Sequence, residues 1–347
     1  MVNYYTQSVK GQLSILQQRE PIDELIADTN TPEKLKNTLQ QVKAIRQFSI
    51  EKLHLPDNKS YLYYADLKRP YVVWNVFAAP EFSLSAKDWC YFIVGCVSYR
   101  GYFDEQDAIA HANTLKTEHF DVSVSGIAAY STLGWFDDPV LNTMLGWKEH
   151  HLAGLIFHEL SHQVLYVKNE TAFNEAFSTA AQRLGTIEWL LSTKPSEVAN
   201  YLSYLTAYGQ FQQLLENTRE KLAIHYESDE TDEEKRKGKV EIFENMKQEY
   251  QILKKDWPSN VSFDGWFARP INNARFTSTM TYLEYVPAFL TLFKEVNGDW
   301  IAFYQAVKLL SEREAHNRNE QLEALKNSKI EIREIVALIK TRRAISM

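Results

Sequence analysis

Residues 157–163 read FHELSHQ, which places His158 and His162 four residues apart with Glu159 beside the first histidine. On a helix, side chains four apart project from one face with their Cβ atoms about 6 Å apart, so two imidazole nitrogens in this spacing can point at a single metal ion. Glu159 stands about 100° around the helix from His158, better placed to reach a water on such an ion than the ion itself. Two histidines for a metal and a carboxylate for a proton are what metal-assisted hydrolysis requires. A catalytic zinc takes three protein ligands and keeps a fourth position for water. Thirteen residues past His162 comes Glu175 in TAFNEAFSTA, while a histidine six past it is absent, Lys168 standing there. The expected ligand set is therefore His158, His162 and Glu175 around one Zn²⁺, with Glu159 as general base.

The elements that must position these residues read as helices. Leu152, Leu155, Ile156, Leu160, Val164 and Leu165 predict one helix over about 149–168, and Phe173, Phe177, Ala180 and Leu184 give a second over 171–192 an inward stripe. The turn VKNET between them lets the chain reverse, with Asn169 or Thr171 to cap the second helix. Polar groups on so apolar a helix carry a desolvation cost unless something coordinates them.

Around this pair the chain is helix-rich. Apolar spacings of three and four predict two or three helices over 4–53, a helix over 105–118 and a long one running through Glu227. YVVWNVFAA, YFIVGCVSY and DVSVSGIAAYS read as strands. ESDETDEEKRKGK (227–239) interrupts the apolar period, as the tip of an exposed helical hairpin over about 211–254 would. DWPSNVSFDGWFARPINNAR (256–275) is the longest irregular stretch, and helices follow to the C-terminus. Cys90 and Cys96 are either a disulfide, which implies an oxidising compartment, or two buried thiols.

The 347 residues are 45% hydrophobic and 24% charged, the balance of an ordinary globular chain. A net charge of −7 and a pI near 5.8 exclude a dedicated nucleic-acid binder, since nothing supplies a basic surface for phosphates. No apolar run reaches the roughly 20 residues that span a bilayer. MVNYYTQSVKGQL has neither the basic start nor the apolar stretch of a signal peptide.

H-E-x-x-H followed on the next helix by N-E-x-x-S resembles the thermolysin-type gluzincins, with Asn174, Glu175 and Ser178 in the second motif and Thr179 where an aspartate would stand. A longer resemblance, carried by YYTQSVKGQLSIL, VWNVFAAPEFSL, WCYFIVGCVSYRGYFD, SGIAAYSTLGWFDDPVLNTML, IFHELSHQVLYVKNETAFNEAF and NNARFTSTMTY, is to the predicted bacterial zinc aminopeptidase family, often lipoproteins. It implies a peptide substrate, a second shell drawn from Asn174, Ser178 and Thr179, and an oxyanion donor from the downstream helices, for which Tyr282 and Arg275 are the candidates. It also implies a cell-envelope or periplasmic location with the leader removed, membrane association then depending on a lipid anchor absent from this chain. A cytoplasmic location is the alternative. In zincins an extended substrate pairs with an edge strand upstream of the motif helix, which points to Gly126 and Ala128. Asp137 and Asp138, taken as exposed, either hold a substrate amine or cap a helix starting near Pro139.

The expected fold is mainly α with a small mixed sheet from residues 70–130 (α+β), zincin-like, the HExxH helix packed against the second ligand-bearing helix. Three regions are expected: a helical 1–68, a catalytic core over 69–192 and a helical 193–347. The function to weigh against a peptidase is a zinc-stabilised, non-catalytic helical interaction protein of the cell envelope. An intact Glu159 argues against it, because a purely structural site has no use for a base.

Overall fold

The computed structural model describes residues 2–91, 95–129, 132, 136–280, 284–328 and 330–345. Helices α1 (Val2–Gln17), α2 (Ile22–Ala27) and α3 (Glu33–Glu51) open the chain, the short strand β1 (Arg19–Pro21) lying between the first two. Then come β2 (Tyr63–Ala65), β3 (Val73–Pro80), β4 (Trp89–Tyr91), β5 (Gly95–Val97), β6 (Arg100–Tyr102), α4 (Glu105–Thr117), β7 (Phe120–Ile127) and β8 (Val140–Leu141). Two helices hold the candidate ligands: α5 (Glu149–Ser161) and α6 (Thr171–Thr193). The remainder is helical: α7 (Val198–Tyr226), α8 (Asp232–Leu253), α9 (Asp264–Phe267), α10 (Asn273–Met280), α11 (Val286–Glu295), α12 (Trp300–Ser311), α13 (Ala315–Lys326) and α14 (Ile332–Ile345). The chain is mainly α with small sheets. No helix of the described residues is long and apolar enough to cross a membrane.

Contacts group the chain into two interleaved units, one of residues 1–74, 126–198 and 282–347, the other of 75–125 and 199–281. Each unit therefore draws on segments far apart in sequence, and the expected division into 1–68, 69–192 and 193–347 does not follow its lines.

In the first unit α5 packs against α6 at close range, and two glycines make the approach possible. A Cβ on Gly185 would lie 2.7 Å from Leu53 and 2.8 Å from Phe157, and one on Gly154 would lie 3.0 Å from the Thr186 hydroxyl. Behind α6, Phe173 meets Phe289 of α11 edge-on at 5.2 Å and Phe177 meets Phe303 of α12 at 5.9 Å, all four rings buried. Glu188 of α6 accepts from Trp300 Nε1 (2.9 Å) and pairs with Arg342, fastening α6 to α12 and α14. Arg318 of α13 pairs with Glu170 at the head of α6 and lies over the Phe173 ring.

This unit has a mixed sheet of its own, outside 70–130: β1 pairs antiparallel and β8 parallel with β2. These strands are two or three residues long, too short for an alternating pattern to show. Pro139 leads into β8 and a 3-10 turn (Asn142–Met144), so the helix expected there is absent.

The second unit carries the sheet β6-β3-β7 and the hairpin β4-β5. YFIVGCVSY is not one strand: β4 and β5 pair antiparallel with Cys90 across from Cys96, the two are joined as a disulfide, and both are exposed. Helices α7 and α8 are not an exposed appendage, because Phe211, Leu214, Leu222, Phe243, Met246 and Tyr250 from them build this unit's core. The interruption at the tip is shorter than 227–239. Thr231 and Glu234 form a capping box that starts α8 at Asp232, so most of the charged run is helix.

Candidate functional site

Helix α5 stops at Ser161, about two turns before the predicted end, although Val164 and Leu165 continue its apolar period. The Ser161 hydroxyl donates back to the His158 carbonyl (2.6 Å), and Asn169 takes a left-handed φ of 65° that turns the chain toward α6. No side chain caps α6: the N-cap residue is Glu170, and neither Asn169 nor Thr171 serves. Instead Asn174 reaches back from inside the helix. Its side chain accepts from the Val167 N–H (2.8 Å) and donates to the Val167 carbonyl (2.7 Å), satisfying both polar groups of one loop residue.

That loop brings the two motifs together. His158 Nε2 and His162 Nε2 are 3.2 Å apart, and Glu175 stands 3.3 Å from His158 Nε2 and 3.6 Å from His162 Nε2. One ligand atom from each residue lies within 4.8 Å of the others. Ligands about 2.0–2.1 Å from a tetrahedral zinc are about 3.4 Å from one another, so the three atoms have the spacing of one face of such a site. The Ser178 hydroxyl lies 3.0 Å from His162 Nδ1, fixing the ring so that Nε2 faces the cluster. His158 Nδ1 is buried with no hydrogen-bond partner. Thr179 follows Ser178, half-buried.

Electrostatics separate the four groups. Burial raises Glu159 to about 7, with the charges of Glu175 and Asp138 adding and that of His158 opposing. Burial pulls His162 down to about 4. Burial also works against the charged forms of His158 and Glu175, but the hydrogen bond and charge between them win, leaving His158 raised and Glu175 lowered. Glu159 is 8% exposed, whereas the Glu175 side chain is 30% exposed, so the cluster opens toward its glutamate.

Other residues singled out from sequence fall in varied places. Gly126 and Ala128 line a cavity of about 520 Å³ in the first unit. The space a Cβ would take at Gly126 is filled by the Tyr71 ring, 2.2 Å away, not left open to a substrate main chain. The Ile127 carbonyl accepts from Val72 N–H and the Ala128 carbonyl from the Thr143 hydroxyl. Asp138 is not exposed: at 5% it is buried, its carboxylate held by the Thr132 N–H (3.0 Å) and hydroxyl (2.7 Å). Asp137, half-buried, offers its carbonyl to Arg19. Arg275 belongs to the second unit, where its guanidinium donates to the carbonyls of Trp266, Arg269 and Pro270 and burial lowers it to about 10. Tyr282 lies outside the described residues.

Two residues near the site carried no signal in the sequence. Tyr166, in the loop, has its hydroxyl pushed up by burial and by the charge of Glu175. Tyr61, fully buried, is pushed up by burial and then by Glu159 and Asp138. Neither tyrosine belongs to a motif or a spacing that marks it in the sequence.

Neither a search of curated proteins nor one of solved structures returns a match. A family model does match, over residues 3–322, which takes in both ligand-bearing helices and nearly all of both units. The chain belongs to the family described as "Putative aminopeptidase".

Proposed function

We propose that the protein is a zinc-dependent aminopeptidase whose ion is held by His158, His162 and Glu175. The observation that carries this reading is the convergence of three ligand atoms within 4.8 Å beside a buried carboxyl. A zinc ion there supplies Lewis acidity and lowers the pKa of a bound water toward about 7. Glu159, buried one residue after the first of the histidines, is placed to take a proton from the attacking water and pass it to the departing amine. Ser178 keeps the His162 ring in register, and Asn174 holds the loop between the ligand helices. A zincin-like arrangement, with the base one residue after the first ligand, is the reading that gives each of these side chains a task.

The test is metal analysis of purified protein together with hydrolysis of aminoacyl-chromogenic and N-terminally blocked, internally quenched peptides. Stoichiometric zinc and cleavage of free-amine substrates only are expected. Glu159→Gln should keep its zinc and lose about 10²–10⁴-fold in kcat. Bound zinc with neither substrate class cut between pH 6 and 9 would sink the peptidase reading and leave a structural metal site.

A further inference from the structure

The open face of α5 does not end at the histidines. His151, Leu155 and His158 recur at four and three residues along α5, and each is less buried than neighbours such as Ala153, Ile156 and Leu160. Leu155 therefore shares a face with His158 one turn away, with Cβ atoms about 5–6 Å apart. Leu155 is also a wall of the 520 Å³ cavity, whose other walls include Tyr71, Ala128, Thr143 and Trp147. The volume lies in the usual range of small-ligand pockets, about 300–1,000 Å³.

The chemistry of the walls is one-sided. Among the described residues no lining side chain is charged, and the Thr143 hydroxyl donates to the Ala128 carbonyl. A carboxylate or ammonium placed there would meet no opposite charge, whereas an apolar side chain would be sheltered from water by the ring faces and Leu155. Tyr71 and Trp147 remain 40% and 41% exposed, two large aromatic surfaces at one concavity. Tyr71 is preset, its ring lying on Gly126 and meeting Trp74 edge-on at 6.1 Å.

Resting on the peptidase reading above, we propose that this cavity receives the side chain of the substrate's N-terminal residue, and that the enzyme releases apolar residues, aromatic or long aliphatic, in preference to charged ones. Trp147 and Tyr71 set that preference from the loop side and Leu155 from α5. Ala128 limits the depth.

The zinc-loaded full chain is assayed with the p-nitroanilides of Phe, Leu, Ala, Glu and Lys. Phe or Leu should exceed Glu and Lys by at least about 10-fold in kcat/KM. Ala128→Phe, which fills the cavity, should move the preference to Ala, and Trp147→Ala, at an exposed position, should lower kcat/KM for Phe by a larger factor than for Ala. In parallel, phenylalaninamide and glutamic acid amide are titrated into metal-free protein by calorimetry. The first should bind and the second should not, with Ala128→Phe abolishing the binding. Hydrolysis with a side-chain ranking that neither variant alters overturns the pocket and leaves the peptidase intact. Binding of phenylalaninamide that Ala128→Phe abolishes, with no substrate cut, overturns the peptidase and leaves the pocket. No binding and no variant effect overturns the pocket outright.

Discussion

Ser178 touches the ligand cluster through a single hydrogen bond, yet that bond decides which nitrogen of His162 is available. Partners of this kind raise metal affinity by about 10–100-fold. Ser178→Ala should weaken zinc binding by that factor in a chelator competition while leaving the far-ultraviolet circular dichroism unchanged. An unchanged affinity would show that packing alone holds the ring. Asn174 works on the main chain instead, so Asn174→Ala should lower stability as well as affinity, because both polar groups of Val167 lose their partner.

Among elements, the α5–α6 crossing depends on the absence of a methyl group. Gly185→Ala places a carbon 2.7–2.8 Å from Leu53 and Phe157, and overpacking of this kind costs about 1–3 kcal/mol. A lowered thermal midpoint is expected, and an unchanged one would mean the helices can part freely. The attachment of α6 to α12 and α14 makes a pH-dependent prediction. Burial raises Glu188 above the usual carboxyl value, and Arg342 and Trp300 restrain the rise. A carboxyl with a raised folded pKa contributes its stability fully below about 4.3 and loses it as pH rises through the folded value. Arg342→Met removes a restraint, so the loss with rising pH grows: about 3–5 kcal/mol at pH 7.5, shrinking toward pH 4.5, in urea melts. Glu188→Gln with Arg342→Met should recover most of it.

Much at this scale was legible in the sequence. The helices of 2–51, α4 and α6 follow from apolar spacing, and the cluster of His158, His162 and Glu175 follows from H-E-x-x-H and N-E-x-x-S because its geometry is mostly local. The end of α5 was not legible, since Val164 and Leu165 keep the period and the stop comes from a serine hydroxyl and a left-handed asparagine. The β4–β5 hairpin hid in an apolar run whose one turn residue is Gly95, at φ 80°. Asp138 looks like a surface acid in FDDP and is buried because Thr132, six residues back, satisfies it.

The whole molecule has two units with separate stabilisers. The disulfide closes a loop of seven residues in the second unit, worth about 2 kcal/mol in loop entropy. A metal bound at the proposed site would stabilise the first unit by about 2.7 kcal/mol at a hundredfold excess over Kd. Scanning calorimetry should show zinc raising one transition and a reductant lowering another, with zinc affinity the same in both redox states. A single transition that both reagents shift together would show that the units unfold as one. No local pattern announces the interleaving, since the contacts that define it, such as those of Tyr64 with Val140 and of Asp121 with Lys239, join residues far apart in sequence.

The interleaving also sets an order of assembly on the ribosome. Phe173 and Phe177 reach the exit tunnel with the ligand helices, but the rings they pack against, Phe289 and Phe303, follow only after the whole of 199–281 has been made. Domains fold as units during synthesis, at about 5–20 residues per second, so α5 and α6 wait several seconds without their backing. A nascent chain arrested before residue 282 should hold zinc poorly, and loading of the metal becomes an event of the finished chain.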